Sequence, residues 1–595
     1  RGVFEMEVEW HDLRYWVKTG KRNRESRTLL HGISGNVKPG EILAVMGPSG
    51  GGKTSLLNLL AGRSTNGYFS GERFYGGLPF GKNTKRRLGF VTQDDLMFGS
   101  LTVLETLMFT ANLKLPSKVS RDEKMKKIRE VMKDLKLGDV EDTLIGDGLH
   151  RKGVSGGERK RVAIANEILV DPSVIFLDEP TSGLDSSTAL HIVQTLKELA
   201  QSGKTIIMSI HQPASQIYGL FDKLMLLREG RTVYFGPRKD AVDFFGAAGF
   251  NCPFGYNPAD YFMGLISDVD GSDALETSPE KVVAKLEATW QLNPELNIEE
   301  GYEPTASAVE ASKQGAKYAV SWWTQFTTLC GRSVRQRRGT IIEEVALIKY
   351  LTTTFLFSVV WFRTQMNETD LYSRIGLLYF IVVFWALSSV LQTAGTFSSE
   401  ISIVKKERAG SAYRLSAYFV AKSVIDIPYD IIYPVIFGII VYWTTGLDPN
   451  PGKFFIFMAV LLSHTINAYS WGLVASTATM NIRKSLVLAS VYTLASVLFA
   501  GFYANSNNLG GVARSLQYIS FIRYAYSALV INETNGSQYE CVDPPTAYRE
   551  FGCPIEQDAV LAVDPMVEIG VAGNLFAIWG FITFFRLVSY TFLRL

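Results

Sequence analysis

The chain of 595 residues carries 60 Lys and Arg against 58 Asp and Glu, a net charge of +2. It is long enough for two or more domains with full cores, and so small a net charge with no extended basic tract argues against a nucleic-acid partner. Its 4 cysteines do not make a disulfide scaffold, and the opening "RGVFEMEVEWHDLRYWVK" has no apolar core of the kind a cleavable signal peptide needs.

In chain order, residues 1–265 alternate short β-branched runs with helical stretches, which predicts an α/β domain. "EILAVMG" and "SVIFLDE" are near-continuous apolar runs, the pattern of strands buried on both faces. Between them, "VLETLMFTANLKL" and "EKMKKIREVMKDLKL" carry apolar residues at helical spacing and predict a helical insertion. Residues 266–317 turn acidic and polar and read as a linker. "WWTQFTTLCGRSVRQRR" predicts an amphipathic helix with a basic end, suited to the inner membrane surface. Six apolar segments follow, at about 343–362, 371–394, 419–445, 454–479, 485–503 and 569–592, each able to supply the roughly 20 residues that cross a bilayer. Residues 318–595 therefore predict an all-α membrane domain.

Two independent signals orient it. Arg332, Arg335, Arg337 and Arg338, then Lys405, Lys406, Arg408 and Arg414, then Arg483 and Lys484, and finally Arg594 all fall on one side, which is cytosolic by the positive-inside rule. The Asn-X-Ser/Thr acceptors at Asn367, Asn532 and Asn535 all fall on the other side, where glycosylation occurs. Cys541 and Cys553 share the outer loop, at about 504–568, an oxidising setting in which they are expected to pair.

The α/β half carries the chemistry. "GPSGGGKTSLL" contains Gly47, Gly52, Lys53 and Thr54 in the spacing of a P-loop, after an apolar strand and before a helix. Gly47, Ser49, Gly50, Gly51, Gly52 and Ser55 would lend backbone donors to phosphates, Lys53 would reach the β- and γ-phosphates, and Thr54 would ligate Mg²⁺. Asp178 and Glu179 end a buried strand, so Asp178 can hold the metal and Glu179 can orient or deprotonate a water. Downstream of the P-loop, Ser155, Gly156 and Gly157 open another helix with Glu158 in its first turn, a second set of donors suited to phosphate. One nucleotide does not need two such cradles in one chain. The arrangement makes sense if the second cradle closes over ATP held by another copy.

Ser155 to Glu158 resembles the signature motif of ATP-binding cassette (ABC) transporters. By the same resemblance Gln93 in "VTQDD" looks like the Q-loop residue, also near the metal. Asp185 in "SGLDSS" looks like the D-loop, and His211 in "SIHQP" like the switch histidine beside the γ-phosphate. The adenine-stacking aromatic expected near Tyr15 to Val17 is not evident. "NPADYFMGL", "KKERAGSAYRLSAYFVAKSVIDIP" and "SLQYISFIRYAYSALVINE", with the cassette preceding the spans, are similar to segments of the G subfamily, the White-type half-transporters. The departures are small: Gly51 stands where many cassettes have Ser, and Val154 where Leu is usual.

That resemblance implies an ATPase that exports a lipophilic molecule, working with Mg²⁺ in a membrane, with its cassette cytosolic and the plasma membrane as its site. One cassette and one set of spans imply a homodimer, or a heterodimer with a related half. The implied substrate path is lined by Phe380, Phe384, Leu387, Val491 and Leu494, closed above by Phe502 and Tyr503. Apolar and aromatic walls select flat or amphipathic hydrophobic molecules, lipids included. Asp426, Asp430, His464 and Asn467 lie in or near spans, where polar groups are expensive; their sequence assigns no role. An ATP-gated channel or regulatory membrane ATPase is the competing expectation. A soluble cassette of repair or translation is excluded by the spans.

Overall fold

The computed structural model describes residues 5–19, 25–64, 67–81, 84–146, 152–267, 279–292, 318–337, 344–503, 510–542, 553–563 and 569–594. Most of the expected linker, Arg338 and parts of the expected outer loop lie outside them. The chain divides into two units, Arg1–Thr328 with Lys405–Ala417, and Leu329–Val404 with Tyr418–Leu595.

Among the described residues the first unit holds ten strands: β1 Val8–Thr19, β2 Glu25–Val37, β3 Ile42–Met46, β4 Gly67–Tyr75, β5 Leu78–Pro79, β6 Leu88–Val91, β7 Val174–Asp178, β8 Thr205–Ser209, β9 Lys223–Arg228 and β10 Arg231–Pro237. They form a four-stranded sheet in the order β2-β1-β4-β5 and a six-stranded sheet in the order β10-β9-β3-β8-β7-β6. The second sheet is parallel where β3, β6, β7, β8 and β9 pair, and its edge strand β10 runs antiparallel to β9. β3 and β7 are buried along their whole length. Ile42, Ala44 and Met46 point into one core and Leu43 and Val45 into another, which is why their sequence runs apolar without alternation.

Helices of this unit are α1 Lys53–Leu60, α2 Val103–Lys114, α3 Arg121–Asp134, α4 Gly156–Ile168, α5 Ser186–Gln201, α6 Ser215–Tyr218, α7 Ala241–Ala247, α8 Pro258–Ile266 and α9 Pro279–Leu292. The expected helical insertion is α2 and α3. Thr102 and Ser120 start these two helices with capping boxes completed by Glu105 and Glu123, each side chain satisfying an N–H that the helix cannot. The amphipathic helix is α10, Trp322–Gln336. At its start, Trp322 donates to Ser416 at 3.1 Å and the Gln325 side chain accepts from the Arg414 N–H at 2.9 Å. Residues 405–417 thus belong to the cassette unit, although the sequence places them among the spans.

The second unit contains α11 Glu344–Val360, most of α12 Glu368–Ala409, α13 Leu415–Thr444, α14 Pro451–Thr479, α15 Ile482–Leu498, α16 Gly511–Leu516, α17 Phe521–Thr534, α18 Gln557–Val563 and α19 Gly570–Arg594. Helices fall at all six expected span positions. Those at 368–395, 415–444, 451–479 and 570–594 are long and apolar enough to cross a membrane. α11 and α15 have 17 residues each, about 26 Å of helix, at the short end of what a span requires. "SLQYISFIRYAYSALV" ends α16, passes through a short 3-10 turn at Gln517–Ile519 and runs into α17, whose 14 residues are buried almost throughout and too few to cross a bilayer. At the start of α12, the buried Arg374 donates to Glu533 at 2.6 Å and to the carbonyls of Thr364 and Gly446. This pins α12, α17 and the α13–α14 turn together. Cys541 and Cys553 form a disulfide within the chain.

Candidate ATP-hydrolysis site

The P-loop lies between β3 and α1. Gly47 sits at φ 151° with its Cα so close to Leu227 O that a Cβ would fall 2.0 Å from that oxygen; no other residue fits there. Gly52, at φ 101°, caps α1, where a left-handed backbone favours glycine. Lys53 is buried, and its ammonium donates to Gly47 O at 2.6 Å and Pro48 O at 3.0 Å. Burial lowers its pKa, opposed by the charges of Glu179 and Asp178.

Beside it, five side chains from four segments converge. Thr54 Oγ1 donates to Asp178 Oδ1 at 3.1 Å. Ser209 Oγ donates to the same oxygen at 2.6 Å and accepts from the Glu179 N–H at 2.9 Å. Gln93 Nε2 donates to Glu179 Oε2 at 2.8 Å. Glu179 itself sits at φ 49°, a left-handed conformation uncommon for a residue with a side chain, and the Ser209 bond helps hold it there. Behind Gln93, the nearly buried Lys160 of α4 donates to the Gln93 carbonyl at 2.8 Å and pairs with Asp95 at 2.9 Å. The adjoining oxygens of Thr54 and Asp178 are hard donors of the kind Mg²⁺ takes, and the loop amides and Lys53 offer positive groups to phosphate. The residues present therefore fit both ATP and the metal.

Ser209, Lys160 and Asp95 escape sequence reasoning. Ser209 ends a buried strand one residue before the "IHQP" stretch, and a small polar residue at that point is the signal that could have found it.

Ser155 and Asp185 are used locally. Ser155 Oγ accepts from the Glu158 N–H at 3.3 Å, and Glu158 Oε2 accepts from the Ser155 N–H at 2.8 Å; the bond from the Ser155 amide holds the Glu158 carboxyl below its usual pKa. Asp185 accepts from Ser187 and Thr188 at the start of α5, and these bonds depress its pKa. The two helix starts are neighbours, since a Cβ on Gly157 would lie 3.2 Å from Thr188 Cγ2. Ser155, Gly156 and His211 are all exposed. Near the expected adenine site Tyr15 is buried, and Trp16 stacks on Tyr68 with ring centroids 6.4 Å apart.

The ABC transporter family matches residues 30–182, and the ABC-2 type transporter family matches residues 324–534. ABC transporter G family member 14 of Arabidopsis thaliana is 39% identical over 534 residues, 88% of this chain and 81% of that protein. The chain belongs to the ABC transporter G family. Protein white of Drosophila melanogaster is 33% identical over 585 residues, 95% of this chain and 83% of its own length. Among solved structures, the ATP-binding cassette MJ0796, described as dimeric, covers 39% of this chain and 98% of its own at 26% identity, with a TM-score of 0.35. This G family half-transporter is accordingly an ATPase whose hydrolysis drives transport across a membrane.

In its membrane unit, Phe380, Val491, Leu494 and Tyr503 are exposed apolar side chains, while Phe384, Leu387 and Phe502 are half-buried. Phe502 stacks on Tyr379 with centroids 4.4 Å apart. His464 is fully buried and contacts Val382 O at 3.0 Å. Asn532 is a correction to the expected glycosylation set: it is 4% exposed and its amide donates to Lys453 O at 2.9 Å. A glycan cannot be carried on a side chain sealed in this way. Asn535 is exposed and Asn367 half-buried.

Proposed function

We propose that two copies of this chain export a lipophilic or amphipathic small molecule, each P-loop closing its ATP against the Ser155–Glu158 segment of the other copy. The observation that carries the reading is the convergence of Thr54, Asp178, Ser209, Glu179 and Gln93 beside Lys53, set against a signature segment whose Ser155 and Gly156 are exposed. A site with one complete half, and a second glycine-opened helix start exposed elsewhere in the chain, calls for a partner copy. A symmetric homodimer satisfies it; a related half-transporter would do so equally.

When bound at Thr54 and Asp178, with Gln93 beside them, Mg²⁺ would neutralise charge on the phosphates. Lys53 leaves the carbonyls of its own loop for the phosphates. Glu179, held by Gln93 and Ser209, accepts a proton from the attacking water. His211 serves near the γ-phosphate, and Asp185 stabilises the start of α5 beside the signature helix. By resemblance to the family, the segment around Lys405 to Arg414, together with the amphipathic helix, carries the motion of the cassette to the spans. The exported molecule passes along Phe380, Phe384, Leu387, Val491 and Leu494, and Phe502 with Tyr503 closes the outer end. The apolar lining favours a lipid or drug-like compound over a sugar or an ion. Glycosylation at Asn535 and Asn367 and residence in the plasma membrane complete the reading.

The test is vanadate-sensitive ATP hydrolysis by the full-length protein in lipid nanodiscs, screened against lipophilic compounds, together with a cysteine crosslink between position 155 and the Lys53 region. Stimulated turnover and an ATP-dependent crosslink between copies are expected. Substrate flux that persists in Glu179→Gln would favour a channel instead.

A further inference from the structure

The second unit contains a polar cavity of about 40 Å³. Its wall includes Arg337, Tyr350 of α11, Trp385 of α12, Asp430 and Tyr433 of α13, and Tyr469 of α14. Two polar atoms of these wall residues are buried and have no hydrogen-bond partner among the described residues: Nε1 of Trp385 and Oδ2 of Asp430. The first is a donor only and the second, in a carboxylate, an acceptor only. They are complementary, yet neither bonds to the other.

Their neighbours are provided for. Arg337 donates to Asp426 Oδ1 through Nε at 3.1 Å and Nη2 at 2.6 Å, and Tyr469 donates to Asp426 Oδ2 at 2.7 Å. Asp426 therefore has both oxygens engaged. Asp430 lies one helical turn further along the same face of α13 with one oxygen left over. The Tyr350 hydroxyl bonds to Ser388 at 2.9 Å, and its ring stacks on both Trp385 and Tyr433, which fixes the wall as a rigid aromatic frame.

An orphaned polar group in apolar surroundings costs about 1–3 kcal/mol, and more when it is charged. A cavity needs about 10–15 Å³ to admit one water, whose share of liquid volume is about 30 Å³, so this one holds about one to three. That is too small for an organic substrate. A metal cation is disfavoured because the Arg337 guanidinium and the Trp385 indole belong to the same wall.

We propose that this cavity is a water-binding site in which about one to three ordered waters bridge Trp385 Nε1 to Asp430 Oδ2. The bound water keeps the Asp430 carboxyl solvated between α11, α12, α13 and α14. When the helices shift against one another, Asp430 then trades one water contact for another instead of being stripped bare. The site lies wholly within the second unit, and neither its existence nor its test depends on nucleotide chemistry.

Electron cryomicroscopy of the full-length protein in lipid nanodiscs, at a resolution that shows ordered water, tests it directly. Density peaks within hydrogen-bonding distance of both Trp385 Nε1 and Asp430 Oδ2 are expected. A collapsed or empty cavity, or an Arg337 side chain bonded to Asp430 Oδ2, overturns the proposal. A second measurement subtracts the tryptophan emission of Trp385→Phe from that of the unaltered protein. The difference spectrum is expected to be red-shifted, as for a hydrogen-bonded indole, and unaffected by aqueous iodide. A blue-shifted difference, the mark of a dry indole, or one quenched by iodide, the mark of an open surface, counts against a buried water site.

Discussion

Gln93 donates its side-chain amide to Glu179 at 2.8 Å, so the end of β7 is tied to the segment that follows β6. The bond fixes one carboxylate oxygen and leaves the other to face a water. Glu179→Gln should lower ATP hydrolysis by about 100-fold or more, the usual contribution of a positioned base, while ATP binding persists. Gln93→Ala should cost less, on the order of tenfold, because the base remains and only its orientation is lost. Phosphate release and nucleotide-binding assays on the same preparations separate the two effects.

Ser209→Ala removes the 2.6 Å donor to Asp178 and the acceptor for the Glu179 N–H. Hydrogen bonds to charged groups contribute about 1.5–3 kcal/mol. The expected result is a rise of at least about tenfold in the Mg²⁺ concentration needed for half-maximal hydrolysis, since 1.4 kcal/mol is a factor of ten. An unchanged Mg²⁺ dependence would show that Asp178 is held in place by other contacts.

Glu167 is buried, pairs with Lys114 at 3.2 Å, and also feels Arg63 and Lys406. Burial alone would raise its pKa, but the three cations outweigh that and hold it below the usual glutamate range. Its folded value thus lies under its unfolded one, so the stability it supplies is present above the unfolded value and is lost as pH falls through the folded value. Glu167→Gln leaves buried cations uncompensated and should destabilise the cassette by about 3–5 kcal/mol, and the share of the acid sensitivity that Glu167 supplies below about pH 4.5 should disappear. Thermal unfolding from pH 7 down to about pH 2, well below the ordinary glutamate value of about 4.3, checks both.

Expression in a glycosylating host with single Asn→Gln changes distinguishes the three acceptors. Loss of mobility shift is expected for Asn535→Gln and for Asn367→Gln. Asn532→Gln should leave the glycan pattern unchanged but lower the thermal midpoint, because its amide bonds to Lys453 O. A glycan found on Asn532 would contradict the packing of α17.

With Cys541 joined to Cys553 in the same chain, a copy-to-copy bridge through either is not expected. Denaturing electrophoresis without reductant should show monomers, and peptide mapping should recover the Cys541–Cys553 pair. Cys541→Ser should destabilise the outer segment by about 2–4 kcal/mol, as for closure of a short loop.

Much of this architecture is legible in sequence because burial leaves a pattern. The runs at 42–46 and 174–178 are apolar at every step since both faces of β3 and β7 are covered, and the six long apolar segments return as helices. The P-loop is legible for a different reason: Gly47 tolerates no side chain against Leu227 O, so its spacing is rigid. What stays hidden depends on partners distant in the chain. Lys405–Ala417 groups with the cassette through contacts such as Lys406 to Leu96 O at 3.2 Å, 310 residues apart. Asn532 carries an intact acceptor triplet whose burial no local pattern reveals. Ser209 is a lone small residue with no periodicity to betray it.

Lys53 also braces the turn that carries it. Its ammonium donates to Gly47 O at 2.6 Å and to Pro48 O at 3.0 Å, so one side chain ties the start of the P-loop to its end. These partners are neutral dipoles, which bind a cation less strongly than an anion does. A phosphate can therefore claim the same ammonium by displacing two carbonyls, with no ion pair to break first.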